Sequence, residues 1–291
     1  GNGILHITTR QDIQIHEVDI KDTPDVLESL LEAGLSPRGG GGNTVRNITA
    51  CPRAGVCPKE RFDVSPYTIA VAEYLLQDRS SFNLPRKYKI VFSGCSEDCA
   101  FASVADLGFF AHIKDGVKGF AVYAAGGLGP NPAVAVKIED FISDNKIFVV
   151  AEAVKRLFDK YGDRSNKHRA RLRYVPARLG KEEFIKLYRK ERDEISRQRL
   201  KGNIPEFRDI VSQFAAPKLI AESCESGALE IDVLPEKAEG LFTLKANLAL
   251  GDITADNLKQ VGKIAEEFGS GLVRTTQLQD IVLMSIPRQN L

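Results

Sequence analysis

The sequence predicts an α+β protein in which a central α/β region is flanked by two copies of a small half-domain that pair with each other. Three observations carry this. Residues Gly3 to Ile15 lie without gaps on Gly271 to Leu283, with glycine, one threonine and the run Gln-Asp-Ile identical. Residues 21–200 alternate between helical and strand-like apolar spacing. No run of about 18 apolar residues exists, which excludes a membrane-spanning helix. Yet 43% of the 291 residues are hydrophobic, enough for a sizeable core.

Taken in order, both repeat copies read as two short strands around a polar corner. The second copy has a lead-in. Gly240 to Leu248 alternates like a strand, and Thr254 to Phe268 has helical spacing, with Thr254 as N-cap and Gly269 as a C′ glycine. That copy is therefore a β-α-β-β unit, and the first copy shows only its last part. One such unit cannot bury its own apolar face, so the copies are expected to pair in space. Between them, Asp25 to Ala33 predicts a short helix ending at Gly34, and Arg38 to Arg46 is too glycine-rich for regular structure. Ser65 to Gln77 predicts an amphipathic helix. Strands are expected over Lys87 to Ser93 and Phe120 to Ala124, and helices over Lys146 to Tyr161 and Lys181 to Arg197.

Composition narrows the setting. Five cysteines in 291 residues are not the framework of a secreted disulfide protein, so a reducing, cytoplasmic environment is expected. Net charge is +1, from 40 basic and 39 acidic residues. This balance conceals an asymmetry, because Arg164 to Lys201 holds 14 basic residues against five acidic. A solvated helix face and a docking face for an anionic cofactor or acidic partner both fit that segment. Nucleic-acid binding fits poorly, since aromatic residues are not interleaved for stacking. The sole methionine is Met284 and the chain opens inside a strand pattern, so a longer protein is expected.

Four cysteines form two close pairs, Cys51 and Cys57 in CPRAGVC and Cys95 and Cys99 in CSEDC. Thiolates so spaced can converge on one metal centre, and Gly- and Pro-rich loops leave amides available to the sulfurs. Structural zinc prefers tighter knuckles, and a redox pair is more often CxxC. Zinc and chance clustering stay open, with a [4Fe-4S] cluster the favoured reading. Cys224 stands alone near an expected linker. Cations accompany the motif: Arg46 precedes Cys51 by five residues, Lys87 and Lys89 stand in LPRKYK, and Arg10 lies in the corner TTRQ. Four cations gathered at one site require an anion, so an oxyanion or anionic cofactor in a shared pocket is expected.

CPRAGVC with SGCSEDCA, together with TTRQ, LPRKYK and the flanking repeats, resembles the sirohaem-containing nitrite and sulfite reductase family, from Gly3 to about Arg173 and again from Gly240 onward. The resemblance implies a central sirohaem/[4Fe-4S] domain flanked by ferredoxin-like half-domains. It implies that Cys51, Cys57, Cys95 and Cys99 bind the cluster and that Cys99 bridges to the sirohaem iron. Arg10, Arg46, Lys87 and Lys89 match the family's basic substrate-pocket residues, and Arg10 and Arg46 also serve the cofactor. Arg169 and Arg171 in the basic segment are expected to face the sirohaem carboxylates. The implied domains are 1–20, the end of a first half-domain; 21–230, the cofactor domain with linker; and 231–291, the second half-domain.

The implied activity is six-electron reduction of sulfite to sulfide, with nitrite reduction to ammonia, or a non-catalytic iron-sulfur electron-transfer module, as alternatives. Lysine at 89 favours sulfite, since plant-type nitrite reductases tend to have asparagine there. Gly126-Gly-Leu-Gly129 does not fit a nucleotide fingerprint. The resemblance implies reduced ferredoxin or a flavoprotein subunit as electron donor, and no nucleic acid or membrane partner is expected. The family's long members are two fused halves, with the basic residues on the first and the cysteines on the second. This chain carries both sets in one module, and is expected to be one module of a larger reductase.

Overall fold

A computed structural model describes residues 1–199 and 232–291. Cys224, the end of the basic segment and the expected boundary near 231 lie outside the described residues. The chain divides into two units. One contains Gly1–Arg38, Gly55–Lys59 and the described residues from 232 onward, and the other contains Gly39–Ala54 and the described residues from Glu60 to Arg199.

The first unit opens with β1 (Ile4–Ile7) and β2 (Ile13–Ile15), an antiparallel pair with Leu5 opposite Ile15 and Ile7 opposite Ile13. Helix α1 (Thr23–Glu32) starts two residues earlier than expected, because Pro24 is accommodated in a first turn that needs no donor there. It ends ahead of Gly34, whose φ of +74° suits glycine.

The second unit is built on β3 (Thr49–Ala50), β4 (Ile90–Ser93), β5 (Leu107–Lys114), β6 (Val117–Ala124) and β7 (Val136–Ser143), in that spatial order. The β3–β4 and β4–β5 pairs are parallel, and the last two pairs are antiparallel. All four residues of β4 are buried, as expected for a parallel strand covered on both faces. Phe92 stacks on Phe109 at 4.5 Å, and Phe120 meets both rings edge-on. Helix α2 (Ser65–Gln77) matches its sequence pattern, and α3 (Ile147–Tyr161) is buried along nearly its whole length. Then follow the short α4 (Tyr174–Leu179) and α5 (Lys181–Arg199). Although α5 is strongly charged, its buried Phe184, Tyr188, Glu191 and Ile195 recur every three or four residues as one stripe.

Three strands of this unit, β3, β5 and β7, join those the sequence pattern marks. The strand expected from Lys87 begins only at Ile90. Tyr88 makes one isolated bridge to Val45, and the Lys89 amide turns aside to a side chain, that of Asp106.

The remainder of the first unit comprises β8 (Asp232–Pro235), β9 (Leu241–Ala246), β10 (Asp252–Thr254), α6 (Ala255–Phe268), β11 (Val273–Thr275) and β12 (Ile281–Pro287). Its sheets run β11-β12-β9-β8 and β10-β1-β2. Thr254 caps α6 as expected, its hydroxyl accepting from the Asn257 amide at 3.2 Å. Gly269 departs from expectation. Its φ of −144° is extended, and a Cβ there would fall 2.5 Å from Ile286 Cδ1 and 2.8 Å from the Met284 carbonyl. Close packing, not a left-handed turn, requires glycine at 269.

The repeat copies share their corner geometry and interlock. Thr8 donates its amide to the Asp12 carbonyl at 2.9 Å, and Thr276 does the same to Asp280 at 2.8 Å. Gln11 and Gln279 both have positive φ, +57° and +69°. The Gln11 side-chain amide donates to the Thr275 carbonyl at 2.7 Å, and that of Gln279 to the Ile7 carbonyl at 3.0 Å. Thr275 and Ile7 occupy equivalent repeat positions, so the exchange is reciprocal. Strand β1 also pairs with β10, placing Ile4 opposite Thr254. The copies differ in cover: Ile13 and Ile15 are 43% and 40% exposed, against 0% and 6% for the equivalent Ile281 and Leu283, where β9 flanks β12.

Candidate functional site

The thiols follow the ends of strands. Cys51 comes directly after β3, its amide bonded to the Phe92 carbonyl at 3.1 Å, and Cys95 follows β4 by two residues. Because β3 and β4 are adjacent and parallel, the loops leaving them emerge at the same edge of the sheet, where α/β proteins tend to place ligands. Cys51, Cys57 and Cys95 are buried thiols and Cys99 is an exposed one. Cys51 Sγ and Cys99 Sγ stand 3.0 Å apart. The bond from Cys51 pulls the Cys99 thiol below its ordinary pKa, against burial and the nearby Asp98 charge, with help from Arg53.

Asp98 sets this loop. From a left-handed backbone with φ of +52°, its carboxylate accepts the Ala102 amide at 2.6 Å and the Ser103 amide at 2.9 Å. Cys57 belongs to the first unit, where the neighbouring Val56 carbonyl accepts from the Lys237 amide at 2.8 Å. Among the described residues, no three His, Cys, Asp or Glu side chains are gathered closely enough to hold a metal ion. The thiol chemistry nonetheless suits a cluster, which takes cysteine sulfur in preference to oxygen ligands.

The cations stand elsewhere. Arg46 precedes β3, Lys87 and Lys89 precede β4, and Arg171 precedes α4. Cys51 and Cys95 thus follow the parallel strands, whereas Arg46, Lys87 and Lys89 precede them. The glycine-rich loop has a use here: the Gly40 and Gly42 carbonyls accept from the Arg46 guanidinium, at 2.6 and 3.3 Å. Partial burial depresses the Lys87 pKa, and repulsion from Arg171, Arg46 and Arg86 depresses it further, with Asp106 opposing. No carboxylate lies within ion-pair distance of Lys87 among the described residues. Arg10 lies in the first unit, half-buried, its amide donating to the Thr8 hydroxyl at 3.1 Å. Arg169 is exposed.

Sequence reasoning missed Asp106, Arg173 and Gly127. Asp106 is fully buried and takes two donors from Arg171, Nη2 at 2.8 Å and Nε at 3.4 Å. Its one sequence signal is a carboxylate lodged in the apolar run Val-Ala-Asp-Leu. Arg173 donates to the Leu128 carbonyl at 3.0 Å, and a Cβ on Gly127 would lie 2.8 Å from its Nη1 and 3.7 Å from Arg171 Nη2. The Gly-Gly-Leu-Gly stretch therefore makes room for two guanidinium groups.

The model of the nitrite and sulphite reductase 4Fe-4S domain matches residues 41–196. That of the nitrite/sulfite reductase ferredoxin-like half domain matches 1–33 and 235–291. The chain is 32% identical to the assimilatory ferredoxin-dependent nitrite reductase of Haloferax mediterranei, over 99% of its own length and 49% of that protein's. It is 27% identical to sulfite reductase [ferredoxin] 1 of Mycolicibacterium paratuberculosis, over 97% of its own length and 47% of that protein's. The chain thus spans about half the length of these relatives. Among solved structures, the Mycobacterium tuberculosis NirA protein matches 98% of this chain with 48% of its own, at a TM-score of 0.78 and 23% identity, a likeness of fold.

Proposed function

This chain belongs to the nitrite and sulfite reductase family, and from that premise we propose that it takes part in the six-electron reduction of nitrite or sulfite. The observation that carries the reading is Lys87, an ammonium crowded by Arg46, Arg86 and Arg171 with no carboxylate pairing it among the described residues. Such a site is completed by an anion.

Each oxygen removed from the substrate leaves as water, so the site must bind an oxyanion and deliver protons. Arg46, steadied by two backbone carbonyls, offers a fixed charge. Lys87, with its pKa lowered by burial and neighbouring cations, releases a proton more readily than an ordinary lysine and can donate where charge develops. Lys89 and Arg10 are assigned to the same anion-handling task. Cys51, Cys57, Cys95 and Cys99 would hold a [4Fe-4S] cluster with Cys99 shared with sirohaem, and Arg169 and Arg171 would face the sirohaem carboxylates. When bound, these groups supply the electrons, received singly from a donor such as ferredoxin. Similarity to the Haloferax enzyme favours nitrite as substrate; Lys89, a second cation suited to the more highly charged anion, favours sulfite.

The test is reconstitution with sirohaem, iron and sulfide, followed by oxidation of reduced ferredoxin with each anion in turn. Strong visible absorption is expected, diminished in Cys99→Ser, and turnover is expected to fall at least tenfold in Lys87→Ala. A protein that takes up neither iron nor tetrapyrrole contradicts the reading. Iron uptake without tetrapyrrole or anion-dependent turnover would indicate an electron-transfer module instead.

A further inference from the structure

The geometry points to Asp106 as the positioning residue of the cationic end of the sheet: a single buried carboxylate that fixes both the Lys89 main chain and the Arg171 guanidinium for an incoming oxyanion. The inference rests on the proposed reductase reading for the identity of that oxyanion. Asp106 is 0% exposed, and a carboxylate so buried persists only when it is paired and hydrogen-bonded. It stands one residue before β5. Parallel pairing sets β5 beside β4, which brings Asp106 to the residue before β4, Lys89, whose amide donates to Oδ2 at 2.9 Å. The same oxygen accepts Arg171 Nη2 at 2.8 Å, and Oδ1 faces Nε.

An arginine gripped along its Nε–Nη2 side cannot rotate, and its Nη1 donors are left uncommitted among the described residues. One carboxylate cannot neutralise the cluster: Lys87 remains depressed although Asp106 opposes the shift. Its role is thus directional. A mere counter-charge behaves oppositely, because removing it raises the positive potential and tightens anion binding.

The experiment is a double-mutant cycle of Asp106→Asn and Arg171→Ala, checked for folding by thermal melting. Two arms are read at equilibrium: sulfite titrated calorimetrically into the cofactor-free chain, and sirohaem uptake followed by absorption. Asp106→Asn is expected to weaken binding roughly tenfold, Arg171→Ala by a similar factor, and the double variant no further. Should Asp106→Asn not fold, Asp106→Glu keeps the charge, displaces it by one methylene, and is expected to weaken binding likewise. Loss in the sulfite arm identifies the oxyanion as substrate; loss in the sirohaem arm identifies it as a tetrapyrrole carboxylate. Both support the inference. Unchanged, tighter or strictly additive binding in both arms overturns it. The sulfite arm needs no cofactor, so failure of the reductase reading appears separately, as absent cofactor uptake and turnover.

Discussion

Lys87 shows how a side chain's chemistry is set by its neighbours. Its charged form is disfavoured by burial and by three cations, so the ammonium is lost on raising the pH before 10.5 is reached. Oxyanion affinity is therefore expected to be full below the lowered pKa and to fall as pH rises through it. Lys87→Arg, which stays charged, should abolish the fall; sulfite affinity measured from about pH 7 to 11 checks this. A wild-type decline centred at or above 10.5 would contradict it. The opposite sign holds at Asp78. Burial alone would raise its pKa, but bonds from Lys155 and Ser80 bring it down to about 2. The stability it contributes is present above 3.8 and is lost as pH falls toward 2. Asp78→Asn is expected to cost about 1 kcal/mol at neutral pH in urea unfolding, since solvent screens this 40% exposed carboxylate, and to flatten that acid dependence. Lys87 and Lys89 were legible in the sequence because they stand together in LPRKYK, and Arg46 because it precedes Cys51 by five residues. Asp106 was not, since it lies 17 residues from Lys89 and 65 from Arg171 and acquires its partners only through strand pairing.

Elements were legible where the signal is local. The period of α2 and the cap of α6 follow from a few adjacent residues, and Thr254→Ala is expected to cost about 1 kcal/mol by thermal unfolding. Signals that depend on a neighbouring element were read less well. Gly108 in β5 is glycine because a Cβ would lie 2.2 Å from the Ala102 carbonyl, a contact that the sequence cannot display. Ala102 is itself bonded to Asp98, beside Cys99. Gly108→Ala is expected to destabilise the protein by about 3 kcal/mol and to disturb the Cys99 loop, which altered alkylation of that exposed thiol would report. Gly269 follows the same logic: a glycine after a helix reads as a left-handed cap, but Ile286 and Met284 decide its conformation.

For the whole molecule, the repeat makes the first unit one folded body, since each copy supplies a glutamine amide to the other's backbone. The four thiols come from two short segments with 37 residues between them, so a cluster bound to the native state but not the unfolded chain adds its binding energy to stability. The loaded protein is expected to melt roughly 5 °C or more above the cofactor-free protein, with the difference removed by an iron chelator. Equal melting temperatures would speak against ligation by these residues. By itself the sequence determined the α+β class, the paired repeat with its polar corners, and which residues bring thiols and cations, because periodicity, turn chemistry and motif spacing act over a few residues. Only the tertiary structure decided that Cys51 and Cys95 follow β3 and β4 where Arg46, Lys87 and Lys89 precede them, that Arg171 is held by Asp106, and that β12 is covered where β2 is open. The physical reason is that burial, strand register and charge pairing are settled between residues tens to hundreds of positions apart, which local patterns do not encode.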